Sequence, residues 1–340
     1  MKFLKHVAVA GGTLALATAT LFAQQINGAG ATFPDPIYQK WFAEYNKLHS
    51  DVQINYTAVG SGAGQKQLLA RTVFFGASDG PMSNEQLQSA PGPILHIPTV
   101  LGGVVPIYNV QGVSGDLKFT GPLLADIFLG KITKWNDPAI AKVNEGTSLP
   151  AADIVVVHRS DGSGTTYIFS DYMSKVSPEW KGKVGVNTTV SWPTGVGGKG
   201  SDGVTAQVKQ TPGAIGYVEL TYALTNKLSY GSVQNSAGKF IRASTDSVTA
   251  AAAAGASAMP KDFRVSITNP PGDAAYPISS FTWMLFYENP QDKKQAKAMV
   301  DFMKWAVNDG QKMTADMGYA PLPKAVADMV MTALQRIKTQ

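Results

Sequence analysis

The chain has 340 residues, of which 44% are hydrophobic and 16% are charged, and its formal net charge is +5. This length is ample for a sizeable core and predicts about two domains. The basic residues are scattered rather than clustered, which argues against a nucleic-acid groove, and the absence of cysteine excludes disulfides, thiolate metal sites and cysteine catalysis.

Residues 1–23 predict a secretory signal peptide. The basic start MKFLKH precedes the apolar stretch VAVAGGTLALATATLFA, whose small residues place cleavage near Ala19 or Ala23. The stretch is short for a membrane anchor, and Gly11 and Gly12 dilute its apolar character. Because no cysteine is present to carry a lipid, we expect an exported periplasmic protein without a lipid anchor, free in solution as a monomer.

From residue 24 onward, strand-like and helix-like segments alternate, which predicts an α/β protein. Strands are predicted at 52–59, 73–78, 94–98, 104–108, 153–158, 213–220 and 281–287. After two prolines, apolar residues at helical spacing predict a helix that buries Ile37, Tyr38, Trp41, Phe42 and Tyr45.

Later segments carry weaker signals. Ser83 with Gln86 fits a capping box, and amphipathic helices are predicted to begin near Pro290 and Pro323. The Gly-rich segment 193–203 is predicted to be the longest flexible stretch, and the Ala-rich segment 249–258 is either a helix end or a mobile loop.

Three predicted strands run into a turn of glycine, serine and threonine that begins a helix. These turns are GAGATFPDP at 28–36, GSGAGQKQLL at 60–69 and HRSDGSGTTY at 158–167. A helix N-terminus presents unpaired N–H groups and a partial positive charge, so each turn can seat an anion. Hydroxyl groups add further donors. One such turn is unspecific, but three of them with an arginine favour a single bound anion.

A fourth turn, FFGASDGP at 74–81, ends a strand with Asp79. A carboxylate beside an anion is repulsive unless the anion carries a proton to donate. Phosphate at neutral pH carries such a proton and sulfate does not, so a buried Asp79 would accept from phosphate and reject sulfate. The alternative is that Asp79 only caps the segment that follows it.

Arg159 and Asp161 also allow two interpretations, one functional and one structural. Arg159 would supply the one full positive charge, and Asp161 would pair with its guanidinium and hold it on the anion. Alternatively, Arg159 is a surface residue at a strand end and Asp161 an Asx-turn residue. His158 alternates out of phase with Arg159 along the strand, and we expect it to have a structural role.

Enzyme motifs are incomplete in this sequence. A nucleophile elbow needs Gly-x-Ser-x-Gly, but Ser163 lies in Asp-Gly-Ser-Gly-Thr and Ser61 in Val-Gly-Ser-Gly-Ala. The segment GVGGKGSD has Gly200 where a phosphate-cradling nucleotide loop requires Ser or Thr. The histidines lack metal-ligand spacing. We therefore expect no enzyme, no metal and no cofactor, and a secreted phosphatase or esterase using Ser163 stays the distant alternative.

Seven segments together resemble a known family. They are GAGATFPDPIYQKW, GSGAGQKQ, FGASDGPMS, LGKITKWNDPAI, RSDGSGTTYIF, GGKGSDGV and PGAIGYVE. In this order the chain resembles the periplasmic phosphate-binding proteins of ABC phosphate importers, from about residue 25 to the last helix. The resemblance implies a type II periplasmic binding protein fold, with two α/β lobes joined by two crossing hinge strands. It places lobe 1 at 24–100 plus 277–340 and lobe 2 at 104–270, with hinges near 100–104 and 270–277.

The same resemblance implies a site and a function. The implied phosphate-binding residues are Thr32, Phe33 through its backbone N–H, Ser61, Asp79, Arg159, Ser163, Gly164 and Thr165, with Asp161 orienting Arg159. The implied partners are inorganic phosphate and the membrane permease subunits of an ABC phosphate importer. The implied function is capture of phosphate by lobe closure and its delivery to that permease. A carrier for another oxyanion, such as sulfate or molybdate, is the closer alternative, and Asp79 opposes it.

Overall fold

The computed structural model describes residues 24–113, 116–256 and 259–340. The predicted signal peptide, 1–23, lies outside the described residues. Strands and helices alternate along the described chain, as the sequence predicts. Among the described helices, none is both long enough and apolar enough to cross a membrane.

The strands follow the predicted ranges closely, and β1 and several short strands lie outside those ranges. They are β1 (Gln24–Gly30), β2 (Val52–Ala58), β3 (Phe75–Ser78), β4 (Ile94–Tyr108), β5 (Lys118–Phe119), β6 (Val155–Arg159), β7 (Val196–Gly198), β8 (Ala214–Glu219), β9 (Ser229–Tyr230), β10 (Ser232–Gln234), β11 (Phe240–Ile241) and β12 (Ser279–Tyr287).

The helices fill the segments between the strands. They are α1 (Asp35–Leu48), α2 (Ser61–Leu69), α3 (Asn84–Ser89), α4 (Gly121–Phe128), α5 (Pro138–Val143), α6 (Gly164–Val176), α7 (Pro178–Lys183), α8 (Gly200–Gln210), α9 (Leu220–Thr225), α10 (Thr245–Ala256), α11 (Lys293–Asn308) and α12 (Lys324–Leu334), with 3₁₀ turns at Gly310–Met313 and Ala315–Met317.

Most of the described strands form one 9-stranded mixed sheet in the order β2-β1-β3-β12-β4-β8-β6-β7, with β9 also paired to β4. The pairs β1–β2, β1–β3, β6–β8 and β6–β7 are parallel, whereas β12 and β4 pair with their neighbours antiparallel. A small second sheet has the order β11-β10-β5. The arrangement is the α/β architecture that the sequence predicts.

Strand β4 connects the two halves of the large sheet. The sequence predicts two strands here, but the structure has one continuous strand of 15 residues. Its first part, 94–103, pairs with β12, and its second part, 104–108, pairs with β8. Proline is compatible with a strand at an irregularity, and the register of β12 shifts between Thr282 and Trp283, opposite Pro98. The irregularity accommodates Pro98, and the strand also continues through Pro106, which lies opposite Tyr217 of β8.

The two halves of the sheet are the two lobes of the fold. We call β2, β1, β3 and β12 with α1, α2 and α11 the first lobe, and β8, β6 and β7 with α6, α8 and α9 the second lobe. Beside β4, the segment before β12 also passes between them, and Val104 N donates to Ile278 O at 2.8 Å. The boundaries near 100–104 and 270–277 stay a prediction.

Packing of the helices agrees with the apolar patterns. The five residues predicted to face the core from α1 are all buried. In α11 the helical spacing predicts core positions at Ala298, Val300, Phe302, Met303 and Ala306; all but Ala298, which is partly buried, are buried. The capping box of Ser83 and Gln86 is present at α3. The segment 193–203, predicted to be flexible, instead contains β7 and the start of α8, because β7 pairs with β6. Helix α10 covers the Ala-rich segment as far as 256, and 257–258 lie outside the described residues.

Helices begin just beyond the carboxyl ends of four parallel strands, with α1 after β1, α2 after β2, α6 after β6 and α8 after β7. The carboxyl ends of strands in an open α/β sheet form the crevice where ligands bind. Because β1 and β2 belong to the first lobe and β6 and β7 to the second, helix N-termini from both lobes line one cleft.

Candidate functional site

The predicted site residues meet between the lobes. Gly164 N, at the start of α6, donates to Ser61 Oγ at the start of α2, at 3.0 Å. Gly62 N donates to Gly162 O at 2.9 Å across the same seam. Ser61 and Gly164 lie 103 positions apart in the sequence. The sequence motifs at 60–69 and 158–167 therefore form one site in space.

Ser61 is fully buried, and two backbone groups already use its oxygen as an acceptor. They are Gly164 N at 3.0 Å and Asp79 N at 3.2 Å. A hydroxyl that accepts two N–H bonds has its own proton left to donate. Ser61 therefore keeps its own proton to donate. The N–H of Gly164 is engaged with Ser61, so any donation by Gly164 to a ligand would be shared.

Asp79 follows β3 and is 1% exposed. Its Oδ1 accepts from Thr282 Oγ1 at 2.8 Å, whereas its Oδ2 has no hydrogen-bond partner within the described residues. A methyl group built on Gly164 would lie 2.6 Å from this Oδ2, so the free oxygen faces the start of α6. The alternative that Asp79 only caps the next helix is wrong, because Ser83 caps α3.

Burial raises the pKa of Asp79 to about 7, and the hydrogen bond from Thr282, the charge of Arg159 and the hydroxyl of Ser61 oppose this rise. Water no longer stabilises the buried charge, so the neutral, protonated form of the carboxyl group is favoured. Near neutral pH, Asp79 is thus poised between accepting and holding a proton.

Arg159 ends β6 and is 3% exposed, so it is not the surface residue of the alternative interpretation. Its Nε and Nη2 donate to the two carboxylate oxygens of Asp161 at 2.8 and 2.6 Å. Asp161 Oδ1 also accepts from Gly200 N at 2.9 Å. Burial raises the pKa of Asp161, but the guanidinium and the backbone donors outweigh it and leave that pKa lowered. Such a bidentate pair fixes the guanidinium plane.

The start of α6 adds two hydroxyls. Ser163 Oγ caps the helix by accepting from Thr166 N at 3.1 Å, so its proton is also left to donate. Thr165 is 1% exposed, and its Oγ1 has no hydrogen-bond partner in the described part of the chain. Both residues belong to the N-terminal turn of α6, where the helix dipole favours negative charge.

The turn before α1 brings Thr32 and Phe33 to the same place. Thr32 Oγ1 lies 2.8 Å from Ser201 Oγ of the second lobe. The ring of Phe33 is fully buried in the core, so this residue can offer a ligand only its backbone. The carbonyls of Thr32 and Phe33 accept from Tyr222 Oη and Tyr319 Oη at 2.5 and 2.7 Å.

Two glycines permit the close approach of the lobes. A Cβ at Gly164 would meet Ser61 Oγ at 2.5 Å, and a Cβ at Gly60 would meet Asp161 Oδ2 at 2.2 Å. Gly60 also has φ of +92°, in the region that favours glycine. Side chains at these positions would hold the two halves of the site apart.

His158 has a structural environment, as expected. Its ring stacks on Trp192 with centroids 4.7 Å apart, and its Nδ1 lies 3.1 Å from the carbonyl of Arg159. Burial lowers the pKa of His158. The ring thus packs against Trp192 and the backbone of Arg159.

Sequence reasoning missed three residues that hold the site. Thr282 contacts Asp79. Ser201 and Tyr222 both contact Thr32. Ser201 lies in the segment GGKGSDGV, in which no pattern singled it out, whereas Thr282 lies in an apolar strand without a local polar pattern. Their partners are 203, 169 and 190 positions away, so local spacing gave no signal.

Comparison with known proteins places the chain in a family. A family profile described as the PBP superfamily domain matches residues 16–309. The chain is 49% identical over 300 residues to the phosphate-binding protein PstS of Xylella fastidiosa strain 9a5c, covering 88% of this chain and 82% of the relative. It is 46% identical to PstS of Pasteurella multocida, covering 95% and 93%. The chain belongs to the PstS family of the PBP superfamily.

Solved structures agree on the fold. A high affinity periplasmic phosphate-binding protein solved with bound phosphate has a TM-score of 0.72 at 24% identity, covering 91% of this chain and 93% of its own. A phosphate-binding protein from Stenotrophomonas maltophilia has a TM-score of 0.70 at 20% identity, covering 91% and 93%. These likenesses establish the two-lobed periplasmic binding protein architecture.

Proposed function

We propose that this protein binds inorganic phosphate with high affinity between its lobes and delivers it to the membrane permease subunits of an ABC phosphate importer. Relatives at 49% and 46% identity are named phosphate-binding proteins, and the solved neighbour at TM-score 0.72 carries phosphate. Binding proceeds by lobe closure and involves no covalent chemistry, cofactor or metal.

The observation that carries the proposal is the free Oδ2 of Asp79. It is a buried acceptor that faces the start of α6, where the surrounding groups are donors. An anion without a proton would leave this oxygen unpaired and repelled, which costs about 1–3 kcal/mol or more for a charged group. Phosphate carries a proton that Asp79 can accept, and sulfate at neutral pH does not. The chemistry therefore favours phosphate over sulfate or molybdate.

The ligand set follows from the donors and their directions. The proposed ligands are Thr32, Phe33 N, Ser61, Arg159, Ser163, Gly164 N and Thr165 as donors, with Asp79 as acceptor. Arg159 provides the full positive charge, and Asp161 holds its guanidinium in place. The hydroxyls of Ser61 and Ser163 already accept backbone N–H bonds, so their protons remain for the anion.

A phosphatase or esterase reaction is disfavoured by the surroundings of Ser163. Its Oγ caps α6 through Thr166 N. His158, the histidine nearest in sequence, stacks on Trp192 and is bonded to a carbonyl. A serine nucleophile needs an adjacent general base, and neither contact supplies one. We propose that Ser163 is a hydrogen-bond donor.

The location of the protein follows from the same proposal. A carrier that serves an importer must meet its cargo outside the cytoplasmic membrane. The N-terminal segment has the features of a secretory signal, so we propose a periplasmic protein, monomeric and without a lipid anchor.

Equilibrium dialysis with radiolabelled phosphate, after unfolding and refolding to strip bound anion, tests the proposal. At pH 8, where Asp79 is mostly ionised, we expect one phosphate per chain, retained against a hundredfold excess of sulfate. A parallel assay with p-nitrophenyl phosphate is expected to release no product. Hydrolysis that is lost in Ser163→Ala would favour the phosphatase, and equal displacement by sulfate would favour a general oxyanion carrier.

A further inference from the structure

Thr32 is held from the second lobe at two of its atoms. Its Oγ1 lies 2.8 Å from Ser201 Oγ and accepts from Ser201 N at 3.3 Å. Its carbonyl accepts from Tyr222 Oη at 2.5 Å. Ser201 begins α8 and Tyr222 lies in α9, whereas Thr32 precedes α1 of the first lobe. Three hydrogen bonds thus cross the seam at one residue.

We infer that Ser201 and Tyr222 form a latch that closes on Thr32 and sets how long phosphate stays bound. The inference rests on the proposed function, because phosphate is the ligand whose release it governs. Ser201 and Tyr222 are positioning residues, and neither belongs to the proposed ligand set. Both are buried, with exposures of 0% and 6%, so water does not compete for these bonds in the closed protein.

The direction of the hydrogen bonds gives Ser201 a second effect. Arg159 Nη1 lies 3.5 Å from Ser201 Oγ, and a guanidinium can only donate. In the arrangement we infer, Ser201 Oγ accepts from Arg159 and donates its own proton to Thr32 Oγ1. Thr32 Oγ1 then accepts from both Oγ and N of Ser201, which leaves the Thr32 proton for the anion. The latch thus sets Thr32 as a donor only when the lobes are closed.

Bonds between lobes exist in the closed form and are absent from the open form. Removing one of them lowers the population of the closed form without changing the open form that phosphate first meets. The expected signature is faster release with unchanged association. A residue that merely supports one lobe would affect both forms alike and would not produce this split.

The experiment measures release of radiolabelled phosphate into excess unlabelled phosphate, and association under the same conditions, for Ser201→Ala and Tyr222→Phe. We expect release about tenfold faster for each variant, equivalent to about 1.4 kcal/mol, with association changed less than about twofold. Matched controls are Ser170→Ala and Tyr287→Phe, which remove bonds inside a single lobe, to Tyr167 O and Leu68 O. Both controls should release phosphate at the wild-type rate.

A double-mutant cycle separates the two arms of the latch. The hydroxyl arm consists of the bonds between Ser201 and Thr32 Oγ1, and the carbonyl arm is the bond from Tyr222 to Thr32 O. Thr32→Val removes the hydroxyl but keeps the carbonyl, so Ser201→Ala should have less than about a twofold effect in this background, whereas Tyr222→Phe should keep its about tenfold effect. Equal effects of Ser201→Ala in both backgrounds would overturn the hydroxyl arm. Wild-type release rates in both single variants would overturn the latch while leaving phosphate binding intact. Failure of the wild-type protein to bind phosphate would overturn the proposed function, and the latch with it.

Discussion

The two lobes bring opposite kinds of groups to the cleft. The first lobe contributes Asp79, a buried carboxyl group with one free oxygen. The second lobe contributes Arg159, a buried guanidinium locked by Asp161 through two bonds. On the proposed function, attraction to any anion would come mainly from Arg159 of the second lobe, whereas discrimination between protonated and unprotonated anions would come from Asp79 of the first lobe. The comparison teaches that affinity and selectivity have separate structural sources, which mutation can separate.

The largest effect is expected from removing the charge of the second lobe. Arg159→Gln removes the guanidinium and leaves the partly buried Asp161 carboxylate with the N–H of Gly200. Phosphate binding should weaken roughly 10²–10³-fold, since truncating one partner of a desolvated charge pair costs about 2–5 kcal/mol of binding free energy. Calorimetric titration measures the loss. Arg336→Gln, at an exposed pair with Glu288, is the matched control and should bind like wild type. Full binding by Arg159→Gln would show that this arginine does not face the ligand.

The next effect concerns the first lobe. Asp79→Asn keeps the shape but removes the charged acceptor, so its preference for phosphate over sulfate should fall roughly 10–100-fold, as expected for an unpaired or repelled buried group of about 1–3 kcal/mol. Competition between the two anions gives the ratio. Asp153→Asn, at a carboxylate that is 79% exposed, should leave the ratio unchanged. Unaltered selectivity in Asp79→Asn would refute the role of Asp79.

A third prediction uses low pH to remove the charge of Asp79, as the Asp79→Asn substitution does. The pKa of Asp79 is raised to about 7 by burial, so the carboxyl group is ionised above pH 7 and protonated below it. Sulfate does not titrate in this range. Its association constant should rise about tenfold per pH unit as the pH falls toward 7, and then level off.

Titrations with sulfate between pH 8.5 and 5.5 measure that rise. Asp79→Asn should bind sulfate with little pH dependence over the same range. A steep dependence that persists in Asp79→Asn would assign the titration to a different group.

The smallest effect is expected at Thr282, which donates to the other oxygen of Asp79. This hydrogen bond lowers the pKa of Asp79 against the effect of burial, so Thr282→Val should move the onset of sulfate binding to higher pH, by up to about one unit. Thr282→Ser keeps the hydroxyl and should behave as wild type. An onset that does not move in Thr282→Val would mean that Thr282 does not tune the carboxyl group.

Much of the fold followed from the sequence where the signal is local. The buried face of α1, the capping box at α3 and the strand positions depend on spacings of a few residues, and the structure confirms them. The continuity of β4 was not predicted, because Pro98, Gly102 and Gly103 resemble strand ends. The irregular register opposite Pro98 accommodates that proline.

The site residues show the same division between local and long-range signals. The pairing of Arg159 with Asp161 spans two positions and could be predicted, and the role of Asp79 was inferred from the chemistry of a carboxylate beside an anion. Thr282, Ser201 and Tyr222 could not be predicted, because tertiary packing alone brings them to their partners. The ligands themselves stay a prediction that the variants above test.

The central claim is that a buried carboxyl group of the first lobe selects an anion that can donate a proton. Calorimetric titration of refolded, anion-free protein at pH 8, with phosphate and then with sulfate, tests it most directly. The account predicts tight one-to-one binding of phosphate and far weaker binding of sulfate. Equal binding of both anions would contradict it.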